Sequence, residues 1–203
     1  MPVALLPLAS FSLVGTITPG PNNLMLAASG ANFGWRRTLP HLTGVILGFL
    51  FMLGAVSAGL GAAIQSVPAL HDGLRIAGGV YLLYLAWRIA TAAPGARQGR
   101  GTPLSFLEAA LFQWLNPKAW AMALTIPASF LAPDPAGGAM ALARDVGLVL
   151  AVHGPVSLVC VSAWAGFGVG IGRFLETGNR RIWFNRAMAA LLVATVYWIV
   201  APG

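Results

Sequence analysis

The stretch Thr18-Pro19-Gly20-Pro21-Asn22-Asn23 interrupts an apolar run that extends from about Val3 to Ala31. Proline lacks the N–H that an interior helical turn needs, and its ring clashes with the turn before it. Two prolines flanking a glycine therefore break a helix rather than bend it. The residues on both sides are apolar, which puts the break inside a hydrophobic span. In hydrocarbon, a backbone group that loses its helical partner must find another, so such a break persists only where it is buried in protein or lines a cavity.

Five more apolar runs follow, at about His41–Ile64, Gly73–Thr91, Leu104–Leu131, Ala139–Ile171 and Ile182–Ala201. Each is long enough to span a bilayer core, which takes about 20 residues of helix. The fourth carries a second interruption, Asn116-Pro117-Lys118. Composition agrees: 58% of the 203 residues are hydrophobic and 8% are charged, against roughly a quarter charged in a soluble domain. The expectation is an all-α integral membrane protein, one transmembrane domain over 1–203 with about six helices and the lipid bilayer as its solvent. The N-terminal run has no basic leader and no small-residue cleavage site, so it reads as a retained helix.

Twelve Lys and Arg against five Asp and Glu give a formal charge of +7. Most of the cations flank the apolar runs: Arg36 and Arg37, then Arg88, Arg97 and Arg100, then Arg173, Arg180, Arg181 and Arg186. That pattern suits an anionic inner leaflet rather than nucleic acid. Positive-inside reasoning places the odd-numbered loops in the cytoplasm and both termini outside. Cys160 is the single cysteine, so the chain forms no internal disulfide and has no CxxC pair or thiolate cluster. No cofactor and no metal site are expected.

The chain divides near its middle. Residues 1–91 and 104–203 each open with a broken helix, and the linker, about 92–103, holds Pro94, Gly95, Gly99 and Gly101. The third helix of each half repeats one frame, Arg75 to Trp87 around Gly78-Gly79 and Arg186 to Trp198 around Ala189-Ala190. Three crossings per half would make the two repeats inverted, and paired discontinuous helices are the best pointer in sequence to a transporter's binding site.

Candidate site residues follow from the breaks. Pro19 and Pro21 free carbonyls, Gly20 lets the chain turn, and Thr18, Asn22 and Asn23 add hydroxyl and amide groups, an array that accepts an ammonium. The half-helix starting near Asn22 offers free N–H groups and a positive dipole end to a carboxylate. The bland alternative is a kink in which both Asn residues only cap broken ends. Lys118 lies near the centre of a span, where a charge costs about 2.5–3.5 kcal/mol on insertion scales. It either bonds carbonyls released around Pro19, or attracts a substrate carboxylate, or does both.

His153, before Gly154 and Pro155, is either a proton relay or a buried histidine satisfied by one neighbour. Glu108, about one turn into the fourth run, reads as structural, reaching the interface or a nearby Arg. Tyr84, Trp87, Trp183, Tyr197 and Trp198 stand where interfacial anchors do, and Gly44, Gly48, Gly78 and Gly79 allow close helix approach.

Three of these segments together resemble the LysE/RhtB family of bacterial inner-membrane amino-acid exporters. They are Thr18-Pro19-Gly20-Pro21-Asn22-Asn23, Gly79-Val80-Tyr81-Leu82-Leu83-Tyr84-Leu85-Ala86-Trp87-Arg88 and Leu115-Asn116-Pro117-Lys118-Ala119. The resemblance covers essentially the whole chain. It implies secondary-active export of an amino acid or close derivative, with the family's motifs falling on Pro19, Gly20, Pro21 and Asn22 and on Asn116, Pro117 and Lys118. Gly34, Arg36 and Arg37 match the family's turn after the first helix although Trp35 intrudes, and Thr38-Leu39-Pro40-His41 departs from the usual small residues.

With only Glu108 near a cavity, the sequence leans toward neutral or hydroxylated amino acids. Transport of another small zwitterionic metabolite is the alternative. A membrane-embedded enzyme would need a clustered constellation, yet His41, His71 and His153 are scattered. So small a bundle leaves room for homo-oligomerisation.

Overall fold

The computed structural model describes residues 3–92, 102–131 and 138–200. Among them there are helices and turns and no strand. Helices α1 (Leu5–Ile17) and α2 (Pro21–Phe33) make up the first apolar run. Helix α3 (Trp35–Ala55) passes through a widened turn at Val56–Leu60 into α4 (Gly61–Gln65). Helix α5 spans Pro68–Ala90. The fourth run gives α6 (Phe106–Phe112), a tight turn at Gln113–Leu115 and α7 (Pro117–Phe130). Helices α8 (Gly138–Phe174) and α9 (Arg180–Val200) complete the chain. The linker residues Pro94, Gly95, Arg97, Gly99, Arg100 and Gly101 lie outside the described residues.

Both expected breaks are present, and one local rule makes them. A residue before proline is pushed out of the helical region. Thr18 (φ −62°, ψ 145°) precedes Pro19, Gly20 (φ −171°, ψ 174°) precedes Pro21, and Asn116 (φ −92°, ψ 111°) precedes Pro117; all three are extended. Pro21 and Pro117 then begin new helices, where a missing N–H costs nothing. The isolated Pro40, Pro127 and Pro155 stay inside helices.

One boundary differs from expectation. The sequence reading begins the second helix at His41, whereas α3 begins at Trp35. Gly34, at φ 78°, ends α2 and starts α3 with no intervening loop. Thr38 and His41 are consequently helical and buried against α2 rather than lying in an entrance loop. Thr38 Oγ1 bonds the Gly34 carbonyl at 2.9 Å and meets Ser29 Oγ at 2.9 Å.

Helix α2 is the axis of the molecule, with every residue from Asn23 to Asn32 buried. It crosses α8 with almost no side chain between them. A Cβ added at Gly30 would strike the Ala165 carbonyl, and one at Gly168 would strike the Ala27 carbonyl. On α3, Gly44 and Gly48 play the same part against Phe106 and Ala110 of α6. Small residues at such crossings let backbones approach and gain dispersion energy where lipid removes the usual hydrophobic drive.

The apolar surface faces outward as well as inward: Leu6, Phe51 and Val159 are 78%, 70% and 67% exposed. Two helical stretches, Trp35–Ile64, which is kinked at Gly59, and Gly138–Phe174, are long and apolar enough to cross a membrane, with mean hydropathy of 2.1 and 2.0. The breaks divide the first and fourth runs into shorter pieces of 13 and 13 and of 7 and 14 helical residues. An all-helical integral membrane protein follows from these features.

Candidate functional site

The two breaks meet. Lys118, in the first turn of α7, reaches across to the end of α1, and its ammonium donates to the Thr18 carbonyl at 2.6 Å and to Thr18 Oγ1 at 2.8 Å. A longer contact of 3.4 Å goes to the Pro19 carbonyl. The two carbonyls are free because the extended Thr18 and Gly20 turn the chain away from the Asn22 and Asn23 N–H groups that would be their helical partners. The structural role expected of Lys118 is therefore real, and Lys118 also lines an open cavity. Gly20 makes the approach possible, since a Cβ there would sit 2.7 Å from Lys118 Cδ.

The other expected residues divide by task. Asn23 turns back on the broken end of α1, its amide donating to the carbonyls of Thr16 at 2.7 Å and Thr18 at 2.8 Å. Asn22 instead crosses to the second break, its Nδ2 donating to Gln113 Oε1 at 2.8 Å. Asn116 caps its own helix, its Oδ1 accepting from the Lys118 backbone N–H at 3.1 Å. Pro21 and Pro117 act by starting helices. The first intrahelical bond of α2 runs from Leu24 N–H to the Gly20 carbonyl, so the Asn22 and Asn23 N–H groups stand at the helix mouth without helical partners.

Between the breaks lies a cavity of about 50 Å³, lined among others by Thr16, Asn22, Gln113, Lys118, His153 and Ser157. At about 10–15 Å³ per water, it holds a few waters. His153 is 1% exposed, stacks near Phe49 at 4.8 Å between ring centroids, and shares a 3.0 Å hydrogen bond through Nδ1 with Ser12 Oγ. Its partner is a hydroxyl from α1, so the imidazole links α8 to the helix that ends at the first break.

Sequence reasoning missed three contributors. Gln113 is fully buried and bridges Asn22 to the Ala109 carbonyl, which its Nε2 reaches at 2.7 Å. The Thr16 hydroxyl is buried on the cavity wall with no partner among the described residues. Ser157, one turn from His153, is the third. A Gln inside an apolar run was the one signal available in sequence.

Glu108 lies away from this cavity. With Ser105 it forms a reciprocal capping box at the start of α6, and it pairs with Arg88 at 3.6 Å. Among the described residues, no group of three or more His, Cys, Asp or Glu side chains gathers as metal ligands do.

The cavity offers one cation, free helix-end N–H groups, several carbonyls and a hydroxyl. Residues 13–197 match the family model described as LysE type translocator. The chain is 31% identical over 194 residues to a cysteine/O-acetylserine efflux protein of Shigella flexneri serotype 5b (strain 8401), covering 95% of each chain. It is 32% identical over 186 residues to the protein of that name from Escherichia coli O1:K1 / APEC, and 31% identical to the one from Escherichia coli (strain K12), covering 91% of each chain in both cases. No solved structure matches the chain. With most of its length matched by the family model and by these efflux proteins, the chain belongs to the LysE type translocator family.

Proposed function

We propose that this protein exports small neutral amino acids of the cysteine and O-acetylserine class across the bacterial inner membrane, binding them between the two helix breaks. The observation that carries the reading is the reach of Lys118 from one break to the Thr18 and Pro19 carbonyls of the other. A bound amino acid replaces part of that contact. Its carboxylate takes Lys118 and the open N–H groups of α2, and its ammonium takes the carbonyls of Thr16 and Thr18. Charge-assisted hydrogen bonds are thus exchanged rather than lost.

In this reading the chain crosses the membrane six times as two inverted repeats, with α1, α2, α3 and α5 corresponding to α6, α7, α8 and α9. Three contacts support it: α1 packs on α8 as α6 packs on α3, and α5 packs on α9. The remaining pair is unequal, because α2 is tightly seated on α8 while α7 is only lightly packed on α3. Exchange of tight and loose seams between repeats would open the site alternately to each side. The odd-numbered loops face the cytoplasm. His153, on the wall of the same cavity, is placed to couple proton uptake to solute release.

Efflux from proteoliposomes preloaded with a panel of amino acids tests the reading. The native protein accelerates efflux of O-acetylserine or cysteine, and Lys118→Ala and Asn22→Ala both lose that acceleration. No acceleration of any amino acid over protein-free vesicles would refute export.

A further inference from the structure

A second cavity lies on the far side of the central packing. It measures about 70 Å³ and is lined by Ser29, Asn32, His41, Leu85, Arg88 and Leu104 among others. Helix α2 borders both cavities, with Asn22 and Asn23 on the first and Ser29 and Asn32 on the second. On α3, His41 stands one turn, about 6 Å, from Val45 of the first cavity. Leu26, Leu42, Ala109 and Phe112, all buried, belong to the apolar packing around these helices.

Two of the polar side chains around the second cavity are satisfied within the protein. Ser29 meets Thr38 at 2.9 Å, and Asn32 donates to the Ala28 carbonyl and to Asn185 Oδ1, each at 2.8 Å. His41 is 1% exposed, and neither of its ring nitrogens has a hydrogen-bond partner among the described residues. A buried polar atom left unpaired costs about 1–3 kcal/mol, and native structures rarely retain one without a reason. A neutral imidazole carries one donor and one acceptor. Beside it, Arg88 makes contacts to the Thr102 carbonyl at 3.1 Å and Glu108 at 3.6 Å, which leave further guanidinium N–H groups for another acceptor.

We infer that this cavity is a second binding station, which takes the head group of the transported amino acid before it reaches the helix breaks. The ammonium sits on the accepting nitrogen of His41, and the carboxylate lies between Arg88 and the donating nitrogen. Arg88 is partly balanced by Glu108, so the station favours a zwitterion over an anion. The inference rests on the export reading above, and it accounts for an imidazole that the packing among the described residues leaves unpaired. Given the orientation proposed there, the station lies in the cytoplasmic half, where an exporter collects its solute.

The test is equilibrium binding of radiolabelled O-acetyl-L-serine to the full-length protein in lipid nanodiscs, run beside efflux from vesicles. Two molecules per native chain and one per His41→Leu chain are expected. Half-saturation from the cytoplasmic side should rise at least fivefold in that variant, and His41→Asn, which keeps a donor and an acceptor, should recover part of the loss. A native protein that exports but binds one molecule, with His41→Leu unchanged in both readouts, would overturn the second station and leave the export reading standing. A native protein that neither binds nor exports would overturn both. Should His41→Leu fail to fold, the native stoichiometry of two or one still decides.

Discussion

The two breaks are made by the same rule and end up in opposite condition. The second satisfies itself: a tight turn at Gln113–Leu115 precedes it, and the Asn116 side chain caps the new helix within two residues. The first cannot, because Pro19 and Pro21 supply no N–H and the residues around Gly20 are extended. Its carbonyls are served from elsewhere, by Asn23 within α2 and by Lys118 from α7. The second break therefore lends its cation to the first. In the proposed export cycle, a solute with both charges takes the place of that contact.

Removing the loan should have the largest effect. Lys118→Met strips a charged donor from the Thr18 carbonyl and hydroxyl, and hydrogen bonds to charged groups contribute about 1.5–3 kcal/mol each. Efflux is expected to fall to background and the thermal unfolding midpoint in detergent to drop. Retained transport would mean that the first break is served by another group. Next comes Asn23→Leu, similar in volume, which leaves the Thr16 carbonyl unanswered at about 1–3 kcal/mol and the Thr18 carbonyl to Lys118 alone. It should destabilise the protein in the same assay while Asn116→Leu, losing one cap bond, costs about 1 kcal/mol.

His153→Gln addresses the coupling rather than the breaks. It should slow efflux driven by a proton gradient several-fold and spare exchange of labelled for unlabelled solute. Equal slowing of both would reduce His153 to packing. Gly20→Ala separates geometry from chemistry. Its extended backbone suits any residue, and the added Cβ meets only the far end of Lys118, so stability should change by less than the ~1–3 kcal/mol of ordinary overpacking while efflux falls. The smallest effect is expected for Asn116→Ser, which keeps a capping oxygen. Efflux within about twofold of native would confine Asn116 to capping, and a fall to background would put its amide on the solute.

The breaks and Lys118 were legible because proline acts on its immediate neighbours and a lysine in an apolar run is conspicuous. What they touch was not legible. Asn22 and Gln113 are 91 residues apart and Lys118 and Thr18 are 100 apart, so only the packing of α2, α6 and α7 brings them together. The early start of α3 was hidden by Arg36, Arg37 and Pro40, which read as a loop until the positive φ of Gly34 removes the need for one. The role of Glu108 was written locally: Ser105-Phe106-Leu107-Glu108 has the spacing of a capping box, and the apolar run around it obscured the pattern. His41 carried no signal at all, since the missing partner of an imidazole is a property of the folded interior.

The glycine seam between α2 and α8 also bears on how the gene can vary. Every nucleotide change that replaces a glycine by another residue adds at least a Cβ, and at Gly30 and Gly168 the first atom added meets a backbone carbonyl that cannot rotate aside. At the polar breaks, by contrast, a changed side chain can often be met by another rotamer or a water. The codons least able to drift are therefore those with no chemistry of their own. A mutational scan of this chain would find its most intolerant columns along a line of residues that lie outside the proposed site.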